Sequence, residues 1–96
     1  MAIVETMTFR VAPASSDESF LAADRRLQGV LIPNQPGFMR RTTARRGENW
    51  LVVTLWATEP DAVAFARVAE RHPVQVEFDL LVDPGSVVTN RYHTLD

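Results

Sequence analysis

Apolar and polar residues alternate near the start of the chain. Ile3, Met7, Phe9 and Val11 fall on one face, with Glu5 as the exception, and Val4, Thr6, Thr8 and Arg10 fall on the other. A period of two carried by Thr and an aromatic residue predicts a strand with one buried face, which Pro13 ends. Ser15-Ser16-Asp17-Glu18 reads as a capping box, with Ser15 as N-cap and Glu18 three residues on. Beyond it Phe20, Ala23, Leu27 and Leu31 make a stripe at helical period, with Asp24, Arg25, Arg26 and Gln28 on the wet side. Gly29 weakens the last turns and Pro33 stops the helix at or before Ile32.

A turn at Asn34-Gln35-Pro36-Gly37 leads into a second strand, Phe38 to about Arg46, and Gly47-Glu48-Asn49 closes a hairpin into a third, Trp50 to Trp56. The third strand is apolar on both faces, which predicts a central place in the sheet. Thr58 caps a second helix with Asp61 at its third position, Pro60 in its first turn and Ala62, Phe65, Ala66 and Ala69 on its inner stripe. His72-Pro73 ends that helix. Val74, Val76, Phe78, Leu80 and Val82 then alternate with Gln75, Glu77 and Asp79, the pattern of a fourth strand. Asp83-Pro84-Gly85 turns the chain into a last extended segment, Val87 to Thr94.

The predicted order is βαββαβ with an added C-terminal strand, the ferredoxin-like α+β arrangement, in a single domain over 1–96. Both crossovers place a helix on the same face of an antiparallel sheet and leave the other face bare. Because both sides of the third strand are apolar, a second subunit is the simplest cover, and two sheets meeting face to face form a dimeric α+β barrel. A homodimer is therefore expected.

Composition narrows the chemistry. Among 96 residues there is no cysteine, and all ten basic residues are arginine. Disulfides, thiolate nucleophiles, cysteine-ligated metals, Schiff-base lysines and P-loop lysines are excluded. A net charge of −2 argues against nucleic acid as a partner. The chain opens without a basic, apolar leader and has no run of apolar residues long enough for a membrane span, so neither secretion nor a membrane partner is expected and the cytoplasm is the default location. Two histidines are too few for a zinc site, so no metal is expected.

Gly37-Phe38-Met39, leading into Asn49-Trp50-Leu51-Val52-Val53-Thr54-Leu55-Trp56-Ala57-Thr58, and then an acidic helix start and an alanine-rich helix with Phe65, resembles the antibiotic biosynthesis monooxygenase superfamily. The resemblance spans roughly 3–95 and implies a dimeric barrel with a small ligand held between sheet and helices. It implies either oxidation of aromatic polyketides by molecular oxygen without a cofactor or, as in a related branch, binding and degradation of haem. Those branches use an Asn on the first strand, a Trp near the end of the third and a His in the second-helix region. Trp56 matches the tryptophan, His72 stands farther along the chain than the pattern has it, and the first strand carries Thr6 and Thr8 but no Asn.

Each candidate has two readings. Trp56 is either the wall of a pocket for a flat ligand or a core residue at a strand end. His72 is a general base, a haem ligand, or a group that bonds the last carbonyls of its helix; His93 is the other titrating group near neutral pH. Strand alternation sends Arg40 and Arg46 to one face and Arg41 and Arg45 to the other. An inward arginine would meet a carboxylate or phenolate on a ligand, or else pair with Glu5, Glu77 or Asp79. Tyr92 is a phenolic donor or a residue covering the dimer interface, and Trp50 is expected at the interface or surface. The leading expectation is a cofactor-independent monooxygenase for a small aromatic or polyketide-like metabolite, with His72 as base and Trp56, Arg40, Thr6 and Tyr92 as substrate contacts. The alternative is a non-catalytic dimeric binding or stress-related module with its pocket filled by side chains.

Overall fold

Trp50, Val52, Thr54 and Trp56 point the same way from one strand and are all buried, because every helix lies on that side of the sheet. The computed structural model describes residues 1–95. The strands are β1 (Ile3–Phe9), β2 (Phe38–Arg46), β3 (Asn49–Trp56) and β4 (Val88–His93), in the order β2-β3-β1-β4 with every neighbouring pair antiparallel. The helices are α1 (Asp17–Arg26), α2 (Glu59–Ala69) and α3 (Pro73–Leu80). This is the expected ferredoxin-like α+β sheet, with β3 and β1 at its centre.

The first helix begins one residue later than expected. Ser16, not Ser15, is the N-cap: its Oγ accepts from the Ser19 amide at 3.0 Å. The predicted stripe is buried throughout, but α1 does not reach Ile32 as regular α-helix. It widens into a π-helical turn at Leu27–Leu31 and tightens into a 3-10 turn at Ile32–Asn34. The change of pitch brings Leu27, Leu31 and Ile32 all onto the inner side, which a uniform helical repeat would not do. Asp24, read from the sequence as wet, is buried.

The segment expected as a fourth strand, 74–82, is instead α3 and the turn after it. His72 caps it, with Nδ1 accepting from the Val74 amide at 3.2 Å, and Pro73 takes the first helical position. The apolar residues of this stretch satisfy two periods at once. As a helix, Val74, Phe78, Leu81 and Val82 turn inward, and Val76 and Leu80 face water, Leu80 at 74 % exposure. The helix prevails because both edges of β1 are occupied, one by β3 and the other by β4, the segment expected as an added strand. Phe78 then fills a slot between Phe9 and Phe20, with ring centroids 6.0 and 5.1 Å away.

The core forms two groups. Phe20 is the centre of the first, 5.3 Å from Phe9 and 4.8 Å from Trp50. Trp50 is thus a core residue, not a surface one: alternation along β3 puts it on the helix side with Val52 and Trp56. The second group gathers Ile3, Ile32 and Ala62 around Trp56, whose ring lies 5.1 Å from Phe65 and 5.8 Å from Phe38. Gly37, at φ +78°, makes the turn into β2, and its carbonyl accepts from the Ala57 amide at 2.7 Å.

Candidate functional site

Between the two core groups the sheet and helices do not quite meet. The gap is a cavity of about 150 Å³, walled by Met7, Leu27, Ile32, Trp56, Phe65 and Phe78 and edged by polar groups. The π-helical turn supplies Leu27 to this wall, and α3 supplies Phe78 and Gln75. Engineered apolar cavities of about this volume take up benzene, so the space has room for a single aromatic ring. It opens to solvent, however, and six of its thirteen lining residues are polar or charged.

Two ion-paired networks border it. In the first, Glu5 points inward from β1. Its Oε1 accepts from Trp56 Nε1 at 3.0 Å, and its Oε2 accepts from Arg91 Nε and Nη2 at 3.0 and 2.7 Å. The charged residue that interrupts the apolar face of β1 thereby fixes the indole plane of Trp56, which is fully buried. In the second, Arg41 Nη1 donates to Asp24 Oδ1 at 2.8 Å and to Thr43 Oγ1 at 3.2 Å. Asp24 Oδ2 also accepts from Thr43 Oγ1 at 3.0 Å and from Gln28 Nε2 at 2.9 Å. Both ionic side chains are only 4 % exposed, and the Arg41 guanidinium lies 5.7 Å from the centre of the Phe78 ring.

The five candidates named from the sequence do not share one place. Trp56 lines the cavity. His72 is not among the residues that line it; its Nδ1 is engaged as the cap of α3, at the start of that helix instead of the end of α2. Arg40 and Tyr92 stand on the opposite, helix-free face, paired across the sheet with Leu55 and Val4. Thr6 has its register partners Val53 and Asn90 on that same face, although it also borders the cavity floor. His93 is exposed on β4, 3.8 Å from Glu59.

The inward arginine of the β2 cluster is therefore Arg41, and its carboxylate partner is Asp24 on α1. Glu5 pairs with Arg91 and Glu77 with Arg26, while Asp79 accepts from Gln75 at 2.9 Å. Burial raises the Asp79 carboxyl above its usual value, and the Gln75 hydrogen bond opposes this in part. Sequence reasoning put Asp24 on the wet side because it is charged and stands next to Arg25 and Arg26 in the chain. The signal was in the spacing: Asp24 is four residues after Phe20 and three and seven before Leu27 and Leu31, so a helical wheel places it on the buried stripe. Among the described residues there is no cluster of three or more His, Cys, Asp or Glu able to hold a metal, and no helix is long and apolar enough to cross a membrane.

A four-stranded antiparallel sheet with all helices on one side is a ferredoxin-like α+β fold, and solved structures that include proteins described as antibiotic biosynthesis monooxygenases share it. The resemblance drawn from the sequence holds at the level of the fold. SnoaB from Streptomyces nogalater, a cofactor-independent oxygenase, superposes with a TM-score of 0.74 at 16 % identity, over 99 % of this chain and 94 % of its own. A candidate antibiotic biosynthesis monooxygenase from Bordetella bronchiseptica superposes with a TM-score of 0.81 at 15 % identity, covering 98 % and 97 %. A dimeric ferredoxin-like protein of unknown function from Jannaschia gives 0.76 at 10 % identity, covering 98 % and 100 %. No protein-family model and no curated protein sequence matches this chain, so the likeness is one of structure.

Proposed function

We propose that this protein is a homodimeric, cofactor-independent oxygenase acting on a small electron-rich aromatic compound held between sheet and helices. The observation that carries the reading is the cavity beside Trp56. It has an apolar wall, room for one ring and an edge of polar groups, as ligand sites do. The structural likeness to a cofactor-independent oxygenase supports the class of reaction. A benzene-sized space admits one ring; fused polyketide-like rings or a porphyrin would require the helices to draw back from the sheet.

In such a reaction the substrate supplies all the electrons. A phenol loses its proton, and the ring anion gives electrons to oxygen. One oxygen atom becomes the second carbonyl of a quinone at a former C–H position, and the other leaves as water. The chain's part is to hold the ring against Trp56 and Phe65, exclude bulk water and stabilise the anion. The capped Nδ1 of His72 argues for Arg41, not His72, as the residue that favours the anionic substrate.

Dimerisation is supported by the helix-free face, where Val4, Leu51, Val53 and Leu55 form an apolar strip flanked by Val88 and Tyr92, which are 55 % and 54 % exposed. Covering this strip with a second copy would place Arg40, Thr6 and Tyr92 at or near the interface. Leu55→Asp should then shift the sedimentation equilibrium to monomer, and a wild-type chain that is monomeric at micromolar concentration refutes the dimer.

The activity is tested by oxygen uptake with a panel of single-ring phenols, naphthols and an anthrone. Uptake with quinone formation, lost in Trp56→Ala but retained in His72→Ala, is the expected result. No uptake with any compound by a folded dimer that still binds them favours the second reading, a binding module. The observation behind that reading is that neither histidine lines the cavity.

A further inference from the structure

Arg41 has more hydrogen-bonding capacity than its protein partners use. A guanidinium carries five N–H donors in a rigid fork. Asp24 and Thr43 both take theirs from Nη1, which leaves the Nε–H and the Nη2 pair without a protein acceptor among the described residues. Those two nitrogens form the edge that matches a carboxylate in two parallel bonds. The Arg41 side chain is only 4 % exposed, and no buried side-chain nitrogen or oxygen among the described residues lacks a partner, so the free donor edge is the part of it that solvent still reaches. The side chain borders the cavity, and its guanidinium lies against Phe78, itself part of the cavity wall.

Asp24 explains how the edge is kept open. Gln28, Thr43 and Arg41 all donate to its two oxygens, so the carboxylate is anchored from three sides and grips the guanidinium by one nitrogen only. The charge of Arg41 is balanced well enough to be buried, and its position is fixed by α1 on one side and β2 on the other. Anchoring of this kind pre-organises a binding group before the ligand arrives.

We propose that Arg41 is the anion-recognition residue of the cavity, and that the ligand is a single aromatic ring bearing an anionic oxygen group, a carboxylate or a phenolate. Asp24 is its positioning residue. This deepens the proposed function, because it rests on the cavity being the ligand site, and it defines which ring compounds enter. Neutral rings of the same shape fill the apolar part and leave the arginine edge unmet, and the site rejects them for that reason.

The test is isothermal titration of the wild-type protein with benzoate, its neutral isostere benzamide, and 4-nitrophenolate. Benzoate should bind at least about tenfold more tightly than benzamide, the effect of one charge-assisted contact. Benzoate above 4-nitrophenolate assigns a carboxylate ligand; the reverse order assigns a phenolate. Arg41→Lys keeps the charge but loses the two-pronged edge, and should lose most of the preference. The double variant Asp24→Asn with Arg41→Met removes both buried charges, leaves neither unpaired, and should bind benzoate and benzamide alike. Equal binding of the two by wild type, or a preference that survives in the double variant, overturns the proposal. Titration needs no turnover, so the outcomes separate. Selective benzoate binding without oxygen uptake refutes the oxygenase reading alone, whereas oxygen uptake on neutral rings that Arg41 variants retain refutes the anion site alone.

Discussion

Replacing Arg41 by Met is the most direct test of how this interior is held together. The change removes the cation and keeps a flexible apolar side chain of similar reach. It leaves Asp24, 4 % exposed, without its ionic partner. Breaking a buried pair by deleting one member costs about 3–5 kcal/mol, since the remaining charge is stranded away from water. Asp24 retains hydrogen bonds from Gln28 and Thr43, so the lower end applies, about 3 kcal/mol. For a domain of this size each kcal/mol moves the melting temperature by roughly 4–8 °C, so the loss is about 12–24 °C. Adding Asp24→Asn removes the stranded charge while an amide oxygen still accepts from Thr43 or Gln28. The double variant should therefore recover most of the loss, although it lacks the ion pair entirely. Urea denaturation at neutral pH of the wild type, both single variants and the double variant gives the coupling energy. A loss below about 1 kcal/mol for Arg41→Met, or a double variant less stable than that single variant, would refute the claim that a stranded charge dominates the cost.

Other substitutions probe single features. His72→Ala removes the α3 cap and should cost about 0.5–2 kcal/mol in chemical denaturation, with His72→Asn restoring much of it; ligand affinity in the cavity should not change. Gly37→Ala forces a side chain into a positive-φ turn and against the Asp61 carboxylate, so a loss of about 1–3 kcal/mol is expected, and a neutral result would show that the turn relaxes. Asp79 favours its protonated form in the folded chain, so its contribution to stability is present below the ordinary value of 3.8 and is lost as pH rises through the raised folded-state value. Asp79→Asn should accordingly raise the melting temperature at neutral pH and give no gain in acid, which a pH series of thermal melts will show.

The fold was legible where one periodicity had no rival. Ile3 to Phe9 and Trp50 to Trp56 can be amphipathic or doubly apolar only as strands, and Phe20, Ala23, Leu27 and Leu31 share a side only as a helix; each is buried as its period requires. The hairpin and the cap at Thr58 are equally local, because turn and cap chemistry act within three or four residues. Trp56 could be named as a cavity residue for the same reason, being a large amphipathic ring at the end of a buried strand. The stretch 74–82 was different in kind. Val74 and Phe78 fit both a strand and a helix, and the choice fell to β4, which occupies the free edge of β1 nearly ninety residues along the chain. The candidate site followed the same division. Alternation could separate Arg40 from Arg41, but only the packing of α1 over β2 decides which of them turns inward, and only that packing brings Asp24 to meet it. Local chemistry places a side chain on a face of its own element. Which faces are dry, and which charges share them, is a property of elements that meet across the sheet.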